Sequence, residues 1–467
     1  MRLNPRWLGL AATTLLAVSG FLAGKPYHHD AAWVSGVCVW FVALLALGYA
    51  WWGLRGVTRP RELLVTAAIW SLPLLVAPPM GALDVYAYAC QGQLFDAGIN
   101  LYEHGPSALP CTWLSEVPPL WRDTPTPYGP LWFAISGGVS WLAHGHLAVA
   151  VGLFRLVAVL GLILCVAAAH RLTGSNAVLA ASPLVLVHVV SGVHNDILLA
   201  AFVLAGFALA ARARPALSGL AFGLAAAIKV TALVAAPFAV LLLLSRRRRD
   251  PVTFTATAIA VYAALAAVTG HGLGFLRALG ATAGLVQWLS IPSGVGMAIG
   301  YVLRWSGQPG AFGTAVAVAR AVGFVTLAAL LLWLWLRTLR TVRHADPNAA
   351  PAVDPVLTAA GLALLAMAVL GPVFYAWYAL AGITVLAGTR LTGRLRTGVH
   401  VAVVALPFLT LPDSLGLATK TKVPGAFLDL ALVVALIVRL ARTRRRPVAL
   451  PGLHGRATAR SGDGADA

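Results

Sequence analysis

The sequence predicts an all-α, polytopic membrane protein, and three observations carry that prediction. The 467 residues are 60% hydrophobic and only 10% charged, with a mean hydropathy of +0.84, too apolar for a soluble chain. Apolar runs of roughly 17–25 residues, the length that crosses a bilayer core, recur from end to end. Lysine and arginine gather at the ends of those runs. Backbone groups in lipid must pair within their own segment, so such runs are helices. The net charge of +19 therefore reflects membrane topology and not a nucleic-acid partner.

Taken in order, the expected spans are 7–24, 33–54, 62–80, 147–169, 176–191, 197–211, 216–228, 230–245, 252–269, 311–336, 355–372, 377–389, 398–411 and 426–441, about fourteen by the length rule. The first follows Arg2 and Arg6 like a signal peptide. A second apolar run follows at once and no small-residue cleavage site stands out, so it is read as a spanning helix. Residues 1–446 form a single transmembrane domain, and 447–467 are expected to be a disordered cytoplasmic tail.

Segment 131–143 decides orientation. Read as a re-entrant or interfacial piece, it leaves both termini cytoplasmic. Arg55, Arg59, Arg61, Arg171, Arg212, Arg214, the 246–249 run, Arg337, Arg340, Arg343, Arg390, Arg394, Arg396 and the 442–446 cluster then all lie inside. Segment 81–130 becomes a large first outer loop, and 271–310 a second. The expected location is the plasma membrane.

The first outer loop cannot sit in lipid. It holds Asp84, Asp96, Glu103, Glu116 and Asp123, five of the fifteen acidic residues, together with Tyr86, Tyr88, Tyr102, Tyr128, Trp113 and Trp121. Asp84, Tyr88 and Gln91 stand at i, i+4 and i+7 and share one face if 84–97 is helical. Val85, Ala89, Leu94 and Phe95 on the other face suggest a helix lying in the interface. Asp84 reads either as a helix cap or as a general base. His194, Asn195 and Asp196 sit at an outer helix end. Asp196 reads as the cap of helix 197–211, or the trio reads as a second polar cluster facing Asp84. Lys229, the sole lysine between Lys25 and Lys420, is embedded between AAAI and VTAL. It either snorkels or meets a phosphate below the outer surface. Arg155 and Arg320 also lie within spans and either bind phosphate or neutralise an acid.

Trp121, Arg122 and the PTPYGP run form a stiff aromatic turn, and Tyr375, Trp377 and Tyr378 a second aromatic cluster. Both suit sugar stacking or an aromatic belt. Cys90 and Cys111 share the outer loop, where oxidation is possible. No acidic cluster is dense enough to demand a metal; a divalent cation stays open.

The motifs DVYAYACQGQL (84–94), GINLY (98–102), WRDTPTPYGPLW (121–132), SPLVLVHVVSGVHND (182–196), AAIKVTAL (226–233) and FYAWY (374–378) together resemble the polyprenol-phosphate-mannose-dependent α-1,6-mannosyltransferases, over about residues 60–390. These are integral-membrane enzymes of the GT-C glycosyltransferase fold that build lipomannan and lipoarabinomannan. The resemblance implies a GT-C fold, a polyprenyl-phosphate mannose donor, a glycolipid or mannan acceptor, an extracytoplasmic active site and Asp84 as base. The enzyme expectation drawn from these residues is mannosyl transfer with inversion. Lys229, with Arg155 or Arg320, would hold the leaving phosphate. Tyr88, Gln91, Arg122, Tyr128, His194, Asn195, Asp196, Tyr375, Trp377 and Tyr378 would line the substrate site. The competing expectation is a transporter or flippase of a lipid-linked sugar, for which short helices and an intramembrane cation also speak.

Overall fold

The computed structural model describes residues 4–25, 30–172, 177–244, 249–344, 352–413 and 416–444, and every regular element among them is helical. The tail 447–467, Arg246, Arg247 and Arg248 lie outside the described residues.

Seven of the fourteen expected segments become helices long and apolar enough to cross a membrane unaided: Pro5–Ala23, Ala31–Leu54, Leu147–His170, Asp250–Thr269, Ala311–Arg343, Val353–Leu370 and Lys422–Arg442. The protein is thus a multi-pass membrane protein. The other seven expected segments are helical but short or broken. Pro183–Ser191 and Asp196–Ala211 meet at 111°, and together they make an eighth crossing if counted as one span. Pro215–Ile228, Val230–Leu244 and Ala376–Ala387 are apolar but shorter than a span. Broken helices of this kind survive at membrane depth where protein covers their freed backbone groups.

Local chemistry sets several boundaries. Asp30 caps Ala31–Leu54 by accepting from the Trp33 amide at 2.8 Å. Proline opens Pro5–Ala23, Pro60–Val76, Pro130–Ala143 and Pro215–Ile228, where a missing N–H costs nothing. Buried tryptophans tie the elements together through their indole donors. Trp51 Nε1 donates to Val178 O at 2.8 Å, Trp40 Nε1 to Thr410 O at 3.0 Å and Trp70 Nε1 to Arg6 O at 2.8 Å.

Helix Asp84–Asp96 forms as the sequence pattern expects, but it does not lie on an interface. It is buried on both faces, from Val85 and Ala89 to Tyr88 and Gln91. Its cover is Pro130–Ala143, the segment expected to re-enter, which is a 14-residue helix. Gly92 permits the contact: a Cβ there would meet Ser136 O at 2.2 Å. The segment expected as a second loop, 271–310, is also largely helical, with Phe275–Ala283 and Ile291–Trp305. Ile291–Trp305 is capped by Ser290 and packs small residues against Ala311–Arg343. A Cβ on Gly296 would meet Val316 Cα at 2.6 Å.

Cys90 and Cys111 form a disulfide that closes a 21-residue separation in the 84–130 segment. A closure of that length stabilises by roughly 3 kcal/mol in the chain-entropy account.

The Gly92 contact predicts a position-specific result. Gly92→Ala should lower stability by about 1–3 kcal/mol through overpacking. Gly138→Ala, whose Cβ would enter open space, should be neutral or stabilising, since alanine outranks glycine in a helix. Thermal unfolding of the two purified variants in one detergent checks the difference.

Candidate active site

Three chain breaks converge on the site. Helix Pro60–Val76 ends before Ala77-Pro78-Pro79; the chain turns at Gly81 (φ +77) and Asp84 opens the next helix. The π-helical turn Leu186–Ser191 ends at Gly192, and Val193 takes a φ of 56 before Asp196 opens the next helix. A β-branched residue in the left-handed region costs on the order of 1–3 kcal/mol and is kept only where surroundings enforce it. Helix Pro215–Ile228 ends at Lys229, whose extended backbone separates it from the 3-10 turn Val230–Val234. The outer segment docks on that last break: the Gly129 amide donates to Ile228 O at 2.9 Å. A Cβ on Gly129 would meet Ala227 O at 2.4 Å, so glycine is needed for the close approach. This contact sets Tyr128 beside Lys229.

Neither Asp84 nor Asp196 is the expected helix cap. Asp84 is the first residue of its helix, and Leu83 precedes it without a side-chain cap bond. Asp196 likewise opens its helix after Asn195, and its carboxylate pairs with Lys229, Nζ to Oδ1 at 3.0 Å. The Lys229 ammonium also lies over the Tyr378 ring, 4.3 Å from its centroid.

Asp84 is buried without a comparable cation. Its Oδ2 lies 3.7 Å from His194 Nδ1, and the Trp121 side chain donates to its carboxylate. Burial pushes the Asp84 carboxyl up to about 7, against the pull of the Lys229 charge and the Trp121 hydrogen bond; the negative charge of Asp196 pushes it further up. A carboxyl titrating near neutrality suits a general base.

An aromatic wall joins the two charged groups. Asp84, Tyr88, Gln91, Trp121, Tyr128, Tyr375, Trp377 and Tyr378 line a hollow of about 40 Å³. Lys229, Asp196 and Thr231 line a neighbouring cavity of about 140 Å³. Trp121, Pro127, Tyr375 and Tyr378 belong to both. Tyr375 stacks on Trp377 at 4.6 Å, and Trp377 on the His194 ring at 4.1 Å. Tyr88 and Tyr128 share a hydrogen bond of 3.3 Å between hydroxyls. Asn195 and both ring nitrogens of His188 and His194 are buried with no hydrogen-bond partner among the described residues. Polar groups of that kind at a site commonly await a ligand or water.

The three candidate arginines sit elsewhere. Arg155 donates to Leu75 O at 2.6 Å and Ala77 O at 2.7 Å. Those carbonyls are left over where Pro78 and Pro79 end the helix, and in lipid they need a donor. Arg320 donates to Leu285 O, Pro372 O and Ser293 Oγ. Arg122 donates to Val117 O and Ser115 O. None of the three lines either hollow. Trp121, which the sequence places in the aromatic turn beside Arg122, is a hydrogen-bond partner of Asp84 that sequence spacing does not single out. Among the described residues, no group of three or more His, Cys, Asp or Glu is placed to hold a metal ion.

Fold and site together define a many-helix membrane protein in which a buried acid and a partly buried amine border one aromatic wall. Comparison with known proteins narrows the class. Residues 6–245 match the family described as alpha-(1->6)-mannopyranosyltransferase, N-terminal domain, and residues 292–441 match the MptB C-terminal domain. Alpha-(1->6)-mannopyranosyltransferase A of Mycobacterium tuberculosis is 32% identical, over 80% of this chain and 78% of its own length. A probable alpha-(1->6)-mannopyranosyltransferase of Mycolicibacterium smegmatis is 28% identical, over 94% of this chain and 88% of its own. Alpha-(1->6)-mannopyranosyltransferase B of Corynebacterium glutamicum is 27% identical, over 83% and 69%. No solved structure matches the chain. The chain belongs to the alpha-(1->6)-mannopyranosyltransferase family.

The buried carboxyl predicts a paired response to pH. Its folded value lies above the ordinary carboxylate value of about 4, so the protonated form is favoured, and the stability it lends is lost as pH rises from about 4 through about 7. Asp84→Asn should therefore raise the melting temperature more at pH 8 than at pH 5, measured by differential scanning fluorimetry in detergent.

Proposed function

We propose that this protein is a glycosyltransferase that moves mannose from a polyprenyl-phosphate donor to a mannan-type glycolipid acceptor, forming an α-1,6 linkage with inversion. The observation that carries the reading is the wall shared by Asp84 and Lys229: one side offers a base, the other a cation for a leaving phosphate. The family and the names of the relatives support mannosyl transfer.

In this reading Asp84 takes the proton of the acceptor hydroxyl as its oxygen attacks the anomeric carbon. The bond from that carbon to the phosphate oxygen breaks on the opposite face, and its electron pair leaves with the polyprenyl phosphate. Lys229 stabilises the charge that develops there, where a fixed cation in a dry site is most effective. Lys229 is held by Asp196 before the donor arrives, so the phosphate must share or displace that pairing. Tyr375, Trp377 and Tyr378 hold the sugar between the two groups, which supplies the orientation term. Arg155, Arg320 and Arg122 serve the scaffold.

An apolar groove supports a prenyl-chain donor. An apolar groove of about 1090 Å³ runs between Pro215–Ile228, Ala236–Leu244 and Asp250–Thr269, lined by Phe222, Val240, Ile259, Ala263 and Trp335 among others. Val230, next to Lys229, lines both this groove and the Lys229 cavity. A donor with its phosphate on Lys229 would lay its chain there. The disulfide fits an oxidising compartment and so an extracytoplasmic site, with both termini cytoplasmic.

Supplied with polyprenyl-phosphate mannose and a short α-1,6-mannoside in detergent, the purified protein should release free polyprenyl phosphate and extend the acceptor. Asp84→Asn should lose about a thousandfold in kcat, and the wild-type kcat/KM should fall about tenfold per pH unit below 7. An Asp84→Asn enzyme with wild-type turnover would remove the base assignment. Movement of the donor across liposomes without bond cleavage would replace transfer with transport.

The groove makes a separate prediction. Ala263→Trp should raise the KM of a long-chain prenyl donor about tenfold and leave a ten-carbon donor within twofold. Equal effects on both donors would place the chain elsewhere.

A further inference from the structure

We propose that Gln287, Ser290, Ser293 and Arg320 are positioning residues that fix the aromatic wall by gripping the backbone of residues 371–374. The functional consequence rests on the mannosyl-transfer reading; the geometry does not.

Four side chains converge on three consecutive-region carbonyls. Gln287 Nε2 donates to Phe374 O at 2.8 Å, Ser290 Oγ to Gly371 O at 2.6 Å and Ser293 Oγ to Pro372 O at 2.7 Å. Arg320 Nη2 donates to Pro372 O at 3.1 Å and to Leu285 O at 2.5 Å, while its Nε donates to Ser293 Oγ at 2.9 Å. Ser290 and Ser293 are fully buried. Gly371 to Phe374 belong to no helix and directly follow Val353–Leu370, so their carbonyls have no ladder to join. Side-chain donors supply the missing partners, and a guanidinium does so with charge-assisted bonds.

What the clamp holds is the site. Gly371, Pro372 and Leu285 line the Lys229 cavity. Immediately after Phe374 come Tyr375, which lines both hollows, and Trp377, which stacks on the His194 ring next to Asp84. The position of helices Ile291–Trp305 and Ala311–Arg343 is thereby passed through a few carbonyls to the rings that separate acid from amine. This gives the C-terminal part of the chain a role in the reaction although it carries neither Asp84 nor Lys229. Small displacements of such a wall are expected to cost rate, because orientation of the reacting groups is what the wall supplies.

Two readouts test this. The first needs no activity. In a Cys38→Ser, Cys165→Ser background that keeps the Cys90–Cys111 disulfide, the buried Ala376 is changed to cysteine. Its labelling by N-ethylmaleimide should be slow, and Gln287→Ala or Arg320→Met should speed it at least tenfold, with Arg320→Lys in between. The second is kinetic. Gln287→Ala should lower kcat/KM about tenfold alone and less than threefold when added to Trp377→Phe, since residues acting through one element are not additive. Faster labelling in a protein that transfers no mannose would uphold the clamp and sink the transfer reading. Unchanged labelling, or a full tenfold loss added to Trp377→Phe in an active enzyme, would overturn the clamp and leave the transfer reading intact. Should Arg320→Met fail to fold, Gln287→Ala alone decides both readouts.

Discussion

A carboxyl buried beside an ion pair that it does not belong to is the arrangement on which this structure turns. Lys229 has its own acid in Asp196, at 3.0 Å, so Asp84 receives only the distant part of that positive charge. Had Lys229 paired with Asp84, the carboxyl would be a permanent anion with little appetite for a proton. The aromatic wall enforces the division. Trp121, Tyr375 and Tyr378 border both hollows and keep the two carboxylates from competing for one amine. On the proposed reading, this puts a proton acceptor on one side and an anion receptor on the other, the division of labour that glycosyl transfer from a phosphate requires.

Broken helices make this arrangement possible and also create its main cost. A break exposes carbonyls and amides that need partners, and three of the breaks are answered by a specific donor. Arg155 serves the end of Pro60–Val76, Gly129 serves the end of Pro215–Ile228, and Arg320 with its serine neighbours serves the stretch after Val353–Leu370. The cations that look like ligands for an anionic substrate are largely consumed in holding the scaffold. Lys229 differs because it meets a side chain that a phosphate can displace, whereas a backbone carbonyl stays where the fold puts it.

The fold class was legible because lipid leaves the chain few choices: apolar runs must be helices, and among the described residues each of the fourteen expected segments is mainly helical. Their completeness was less legible. The π-helical turn at Leu186–Ser191 and the 111° bend after it leave no mark in hydropathy, since the residues on both arms are equally apolar. Helix Pro130–Ala143, expected as a re-entrant or interfacial piece, covers Asp84–Asp96, an enclosure that the pattern of 84–96 alone does not reveal. Asp84 and Lys229 stood out because ionisable groups are rare in such a chain. The arginines could not be sorted in the same way, because a phosphate oxygen and an orphaned carbonyl ask for the same donor. The hydrogen bond to Pro372 O separates Arg320 from a cation facing the cavity. Segment 271–310, expected as an outer loop, carries a helix-start signal in Ser290 and Pro292, and its glycines at 294, 296 and 300 mark close helix packing.

The central claim is spatial, and a cryo-electron microscopy map of the protein with a non-hydrolysable phosphonate analogue of polyprenyl-phosphate mannose tests it most directly. The account places the phosphonate within hydrogen-bonding distance of the Lys229 ammonium, the prenyl chain in the groove beside Val230, and the face of the sugar opposite the phosphonate turned towards Asp84. A phosphonate bound away from Lys229, or a sugar that cannot see Asp84 past the aromatic wall, would contradict it.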